Sequence, residues 1–235
     1  MKKSEFIVQD LLSKIYQENF INGKLPSQRE LAKIYEVSRY TIQSVVKILE
    51  DIGIVEVRHG SGIYVRTGWV KNPLIFNSLT RTPYERITSK MLSLNRRLAS
   101  KEEQRIFQID TEAEIWEFER VRIVNYKIEQ LEKSKMPVTL FPELTKEIIE
   151  HSIQDYVEKS GYRISHFITS YNSVSVGKEL AEKLVCRKGT PAMEIINRSL
   201  LEDGKVYEYS EIISIDYAVT YIRPFDRDVH QTRID

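Results

Sequence analysis

A chain of 235 residues has room for one large domain or two modest ones, and its 41% hydrophobic and 29% charged content suits a packed globular protein. Its one cysteine, Cys186, excludes an intramolecular disulfide or a thiolate metal cluster, and no apolar run approaches the roughly 18–20 residues of a membrane span. The net charge of +1, and about +2 over residues 1–68, leaves no broad basic field, so nucleic acid could be held only through a small positive face. The opening MKKSEFIVQDLL meets Glu5 and Asp10 too soon for the apolar core of a signal peptide, which leads us to expect a cytoplasmic protein.

In chain order, Val8, Leu11, Leu12 and Ile15 recur at helical spacing and predict a helix over 4–20. INGKLP breaks it. Ser27, with Glu30 three residues on, reads as a capping box opening a short helix whose inner face is Leu31, Ala32, Ile34 and Tyr35. Ser38 caps a longer helix to about Asp51, with Gly53 just beyond its end. The stripe Ile42, Val45, Val46 and Leu49 predicts its buried side, leaving Arg39, Tyr40, Gln43, Ser44 and Lys47 outward. IVEVRHGSGIYVR then predicts a hairpin tipped by HGSG.

Residues 66–77, with Gly68 and Pro73, have no period and read as a linker. Beyond them strands are predicted at 87–95, 114–124 and 127–136, then one or two helices ending at Gly161. A strand in YRISHFITSYNSV, a helix in VGKELAEKLV and a strand pair turned at Asp203-Gly204 follow. The expected organisation is α+β: a head over 1–66, a linker over 67–77, and a mainly antiparallel sheet domain with helices over 78–235.

A helix-turn-helix braces one helix with another so that the second presents its first turn to the major groove. Arg39 stands at that turn with a fork suited to guanine O6 and N7; Gln43, on the same face, can pair with adenine or touch backbone. Ser38 and Thr41 suit phosphate, Arg29 is placed to touch phosphate or a base, and His59 and Gly60 would reach an adjacent groove from the hairpin tip. Taken singly, each serine is only a cap and Arg39 only a solvated charge. Taken together, LPSQRELAKIYEVSRYTIQSVVKILEDIGIVEVRHGSGIYV resembles the winged-helix domain of GntR-family bacterial transcription regulators. The resemblance implies contacts to operator DNA at Arg29, Ser38, Arg39, Thr41, His59 and Gly60. Gln43 and Tyr40 depart from the family's usual arginine and threonine.

The remainder is similar, more diffusely, to the UTRA effector-sensing domain of the HutC branch, whose fold is like that of chorismate lyase. The segments that carry the likeness are EIWEFERVR, LEKSKMP, SGYRIS, AEKLVCRKGTPAMEIINR and DGKVYEYSE. Arg120 and Arg122 alternate on one strand and so share a face, where two guanidinium groups make a site for phosphate or carboxylate. The competing reading pairs them with Glu117, Glu119 or other acids on a solvated sheet face. The resemblance implies further effector contacts at Ser78, Glu132 and Glu208, with His166, Tyr171 and Tyr217 lining the pocket. It also implies a homodimer and a small anionic effector such as a sugar phosphate. One departure is ISIDYAVTY, where Ile215 and Tyr217 replace the family's arginine and aspartate.

A small-molecule lyase or binding protein of the chorismate-lyase-like fold, carrying a DNA-binding head, is the alternative. No nucleophile elbow, phosphate loop or H-E-x-x-H occurs, and the four histidines are scattered, so neither catalysis, nor a cofactor, nor a metal is expected.

Overall fold

A computed structural model describes residues 3–66, 74–77 and 87–221. They fall into two compact units, one holding 3–66, 74–77 and 218–221, the other 87–217.

In the first unit, α1 (Lys3–Tyr16), α2 (Gln28–Ile34) and α3 (Arg39–Asp51) precede a hairpin of β2 (Val55–Arg58) and β3 (Gly62–Val65). A two-residue strand, β1 (Lys24–Leu25), adds to β3 and gives a three-stranded sheet of order β1-β3-β2. The stripes converge on one core: Ile7, Val8, Leu11, Leu12 and Ile15 of α1 meet Leu31 of α2, Ile42, Val45, Val46 and Leu49 of α3, and Leu25, Val55 and Ile63 of the sheet. Burying a side chain of this kind is worth roughly 1.5–3 kcal/mol, so this stripe rather than helix propensity holds the short helices in place. Ile34 differs from expectation: it is 59% exposed, and with Phe20 and Ile21 it lines a shallow groove instead of the core. Leu31 alone of α2 is fully buried. The first helix also ends at Tyr16, four residues short of the expected end at 20.

Part of the expected linker is a strand, β4 (Leu74–Asn77). It pairs antiparallel with β11 (Val219–Tyr221), and these backbone bonds group the returning segment with the first unit rather than with the sheet domain expected to contain it.

The second unit is built on β5 (Ile87–Leu98), β6 (Glu114–Val124), β7 (Lys127–Pro137), β8 (Ile164–Ser175), β9 (Pro191–Leu201) and β10 (Val206–Ile215). They form one antiparallel sheet in the order β5-β6-β7-β10-β9-β8. Two short helices, α5 (Lys146–Glu150) and α6 (Ile153–Lys159), cover the face of Phe118 and Met136 through Ile149, Ile153 and Val157. On the opposite face α7 (Lys178–Leu184) packs Ala181 and Leu184 against Val121 and Leu131. The helix α4 (Lys101–Phe107), for which no element was predicted, sets Phe107 against Ile115, and a capping box between Ser100 and Glu103 opens it. Among the described residues no helix is long and apolar enough to cross a membrane.

Candidate functional site

On the head, the Ser38 hydroxyl accepts the Thr41 amide at 3.1 Å and lies 2.9 Å from the Thr41 hydroxyl. The cap therefore fixes the first turn of α3, and the two hydroxyls expected to meet phosphate are already bonded to one another. With Ile42, Val45, Val46 and Leu49 buried, Arg39, Tyr40, Gln43, Ser44 and Lys47 are all exposed on the far side. Lys47 is tied to Asp51 at 3.1 Å, one turn on. The reciprocal box of Ser27 and Glu30 (2.7 and 3.3 Å) opens α2 and leaves Arg29 exposed in its first turn.

At the hairpin tip His59 and Gly60 are both exposed, with Gly60 at φ +73° and Gly62 at φ +130°, backbone settings that glycine alone adopts without strain. Beside them lies a basic group that the sequence reading did not single out. The Arg58 guanidinium sits 4.4 Å from the centre of the Tyr64 ring, and the Lys24 ammonium 5.5 Å from it. The Ser61 hydroxyl lies 2.8 Å from the Tyr64 hydroxyl. The signal was available, since Arg58 immediately precedes HGSG, but Lys24 joins only through the two-residue strand β1.

In the second unit a polar stripe runs through the sheet on the face covered by α5 and α6. Arg120 and Arg122 share that face, and register sets Arg120 opposite Glu132 and Arg122 opposite Gln130. Arg120 is 1% exposed and committed: Nε and Nη2 each donate to Glu132 at 2.9 Å, and Nη1 donates to the carbonyls of Ile149 and His151 at 2.6 and 3.2 Å. The pair was expected to receive an anion together. Instead Arg120 is spent on holding Glu132 and the end of α5, and Arg122 is the guanidinium left partly open, with 21% of its side chain exposed and Nε 3.3 Å from Glu132. Glu117 and Glu119, the alternative partners, lie on the other face, where they bind Arg97 and Lys183.

Around this pair β7 contributes Gln130 and Ser134, and β10 contributes Glu208, Ser210 and Ser214, all buried. Ser134 donates to Glu132 at 2.9 Å, and Gln130 to Ser214 at 3.1 Å. The Oε1 atoms of Glu208 and Gln130 have no hydrogen-bond partner among the described residues. Burial works to raise the Glu132 carboxyl, but the adjacent Arg120 and Arg122 overcome it and hold the group ionised, below the usual carboxylate range. Glu208 goes the other way: burial and the Glu132 charge push it up to about 7, only partly offset by Arg120. At neutral pH the cluster thus holds two cations against one full and one partial negative charge. An anion is favoured there, together with a group that can donate to Glu208.

Tyr171 lies on the same face, in the row Arg120, Glu132, Ile212, Ile195, Tyr171 across β6, β7, β10, β9 and β8, and its ring stacks on Tyr217 at 5.9 Å. The two aromatic residues thus close the far end of the face. His166 does not join them: it is exposed on β8 and five residues from Tyr171, so the alternation of the strand turns it to the other face. Ser78 lies outside the described residues.

A braced helix with an outward first turn, flanked by a glycine-tipped wing, and a separate sheet enclosing a charged cluster define a DNA-binding regulator with a ligand-sensing unit. Residues 3–65 match the gntR family of bacterial regulatory proteins, and residues 84–215 match the UTRA domain. The chain belongs to the GntR family and is a ligand-responsive transcriptional regulator with a UTRA effector domain.

It is 27% identical over 209 residues to MngR, the mannosyl-D-glycerate transport/metabolism system repressor of Escherichia coli (strain K12), covering 84% of this chain and 85% of that one. To the transcriptional regulator YydK of Bacillus subtilis (strain 168) it is 28% identical over 220 residues, covering 90% and 92%. The crystal structure of YydK matches with a TM-score of 0.58 at 26% identity, over 96% of this chain and 100% of the other. PhnF from Mycobacterium smegmatis, at 19% identity and a TM-score of 0.54 over 89% and 94% of the two chains, shares the fold. These relatives are regulators, not enzymes, and the lyase alternative falls with them.

Proposed function

We propose that the chain is a cytoplasmic, homodimeric repressor of the HutC branch that binds the two half-sites of a pseudo-palindromic operator. The carrying observation is the outward first turn of α3: Arg39 and Gln43 are exposed above a completely buried stripe, at the position from which such a helix reads bases. In this reading Arg39 and Gln43 meet base edges. Arg29, Ser38 and Thr41 meet phosphate, and His59 and Gly60 carry the wing to the neighbouring groove, with Arg58 and Lys24 adding charge beside it. Gel retention with fragments of the DNA flanking the gene tests it. Arg39→Ala is expected to lose the specific band while the fold is unchanged; an undiminished band would overturn the assignment.

The effector in this proposal is a small anionic metabolite such as a sugar phosphate or sugar acid. Its anionic end meets Arg122, with Ser78 joining by family resemblance, and its hydroxyls meet Glu132 and Glu208. Tyr171 and Tyr217 close the far wall. The open guanidinium beside two buried carboxyls supports this, as does the relative whose name attaches it to mannosyl-D-glycerate, a sugar joined to an acid. For the effector to release DNA it must bind the DNA-free arrangement more tightly. A thermal-shift screen of sugar phosphates and sugar acids is expected to yield a stabilising ligand whose shift Arg122→Ala abolishes.

A further inference from the structure

One face of the head's three-stranded sheet carries an unusual set of side chains. Register sets Lys24 of β1 opposite Tyr64 of β3, Glu56 of β2 opposite Tyr64 from the other side, and Arg58 opposite Gly62. The strand β1 is only two residues long: Leu25, 2% exposed, seats it in the core, and what it brings to the surface is Lys24. Gly62 leaves a gap in the middle strand, and Lys24 fills it. A Cβ on Gly62 would lie 3.1 Å from Cε of Lys24, a reason for glycine separate from its φ of +130°.

Tyr64 gathers two cations. The Arg58 guanidinium lies 4.4 Å from its ring centre and the Lys24 ammonium 5.5 Å from it. Glu56 accepts from Nε of Arg58 at 2.6 Å and so answers one of them. Lys24 forms no ion pair among the described residues. A ring face compensates only weakly for a cation in water, so the group keeps one uncompensated positive charge. It also keeps a donor. The Ser61 and Tyr64 hydroxyls are 2.8 Å apart, and only one proton can lie between them. Hydrogen bonds from Ser61 and Lys24 hold the Tyr64 phenol below its ordinary range, as donors to its oxygen do. The phenol's own proton then has only the Ser61 carbonyl, at 3.4 Å.

We propose that this group is a phosphate site at the base of the wing, where Lys24 Nζ and the Tyr64 hydroxyl grip one phosphate of the DNA backbone and Tyr64 positions both cations. This rests on the DNA-binding reading above and adds to it an anchor separate from the first turn of α3 and from the His59–Gly60 tip. An ammonium is a point charge and a phenol a single donor, which suits a phosphate oxygen and does not discriminate base edges. One net charge on an exposed surface is too little to retain a free anion against salt. A phosphate already held beside the exposed wing tip, which immediately precedes Ser61, meets no such difficulty.

The test measures the full chain on a mixed-sequence DNA duplex by fluorescence anisotropy across a sodium chloride series, which needs no knowledge of the operator. Lys24→Gln is expected to lower the slope of log affinity against log salt by about 0.9 for each head on the duplex, and to weaken binding about eightfold per head at about 0.1 M salt. Tyr64→Phe keeps the ring and both charges, so affinity falls a few-fold while the slope stays. Tyr64→Leu, which also removes the ring, weakens binding more; equal losses in the two Tyr64 variants would overturn the positioning role. Lys101→Gln, exposed at the start of α4 in the sensing unit, changes neither quantity. Thermal melting at the natural temperature separates these effects from folding. A Lys24→Gln chain with natural slope and affinity overturns the site and leaves the α3 reading standing. If inorganic phosphate, exchanged for chloride at constant ionic strength, abolishes the difference between the natural and Lys24→Gln chains, the site holds free phosphate and the backbone assignment is overturned. A natural chain that ignores the duplex even at low salt overturns both readings.

Discussion

Arg120 and Glu132 stand opposite each other on neighbouring strands and are joined by two parallel hydrogen bonds of 2.9 Å, both side chains fully buried. A buried pair of this kind adds little over an apolar pair of equal volume, but removing one partner leaves an uncompensated charge at a cost of about 3–5 kcal/mol. Arg120→Met is therefore expected to lower the stability of the sensing unit by that order in urea denaturation. Arg122→Ala, which removes a partly exposed side chain bonded once to Glu132 at 3.3 Å, is expected to cost less and to act on effector binding instead. Equal losses in the two variants would refute the division of labour between the arginines.

The second carboxyl of the cluster gives a pH dependence of definite sign. Glu208 is raised in the folded protein to about 7, from an ordinary value of 4.5. Between those values the native state holds a proton that the unfolded chain has lost. The contribution is complete below 4.5 and disappears as pH rises through about 7. Glu132, held below its ordinary value, works in the opposite direction but only in acid, below 4.5. Stability is thus expected to fall from pH 5 to pH 8 with a limiting slope of about 1.4 kcal/mol per pH unit. Glu208→Gln should flatten that slope, and indistinguishable slopes in the two proteins would rule the titration out.

The head was legible because its information is local. Amphipathic stripes and two serine caps lie within single helices, and the four residues of the α3 stripe, Ile42, Val45, Val46 and Leu49, land in the core at the spacing that predicted them. The failures have equally local reasons. The helix α4 buries only Phe107 and Glu103 in its seven residues, too few for a period, although the Ser100–Glu103 capping box was there to be read. The strands β1 and β11 span two and three residues and exist only through partners far along the chain. In the sensing unit the R-x-R alternation gave the shared face of Arg120 and Arg122. It could not give the carbonyls of Ile149 and His151, which arrive on α5 and absorb Arg120. His166 and Tyr171 do share one strand, β8, as expected, but an odd separation of five sets their side chains on opposite faces.

The cap on α3 makes a prediction with an internal control. Ser38 satisfies the Thr41 amide through its side chain while its own backbone stays extended, at φ −65° and ψ 152°. Ser38→Ala removes the acceptor and is expected to cost about 1 kcal/mol in equilibrium denaturation. Ser38→Gly, which lets water reach the same amide, is expected to cost only a few tenths. Equal costs would mean that the hydroxyl pair with Thr41, rather than the cap, carries the energy.

Finally, Arg39 and Arg29 are both exposed arginines in the first turn of a helix, yet the proposed complex gives them different work. A guanidinium on a guanine edge distinguishes bases; one on phosphate only releases counterions. Arg39→Ala is expected to cost about 1–3 kcal/mol on the operator, to narrow the gap between operator and random DNA, and to relax the preference at one base pair of each half-site. Arg29→Ala is expected to weaken both kinds of DNA alike and to reduce the slope of log affinity against log salt by about one for each phosphate left without its guanidinium. Fluorescence anisotropy with operator and scrambled duplexes across a salt series reads both quantities at once. If the Arg39 variant weakens the two duplexes equally, α3 grips the backbone and base reading must be sought at Gln43 or in the wing.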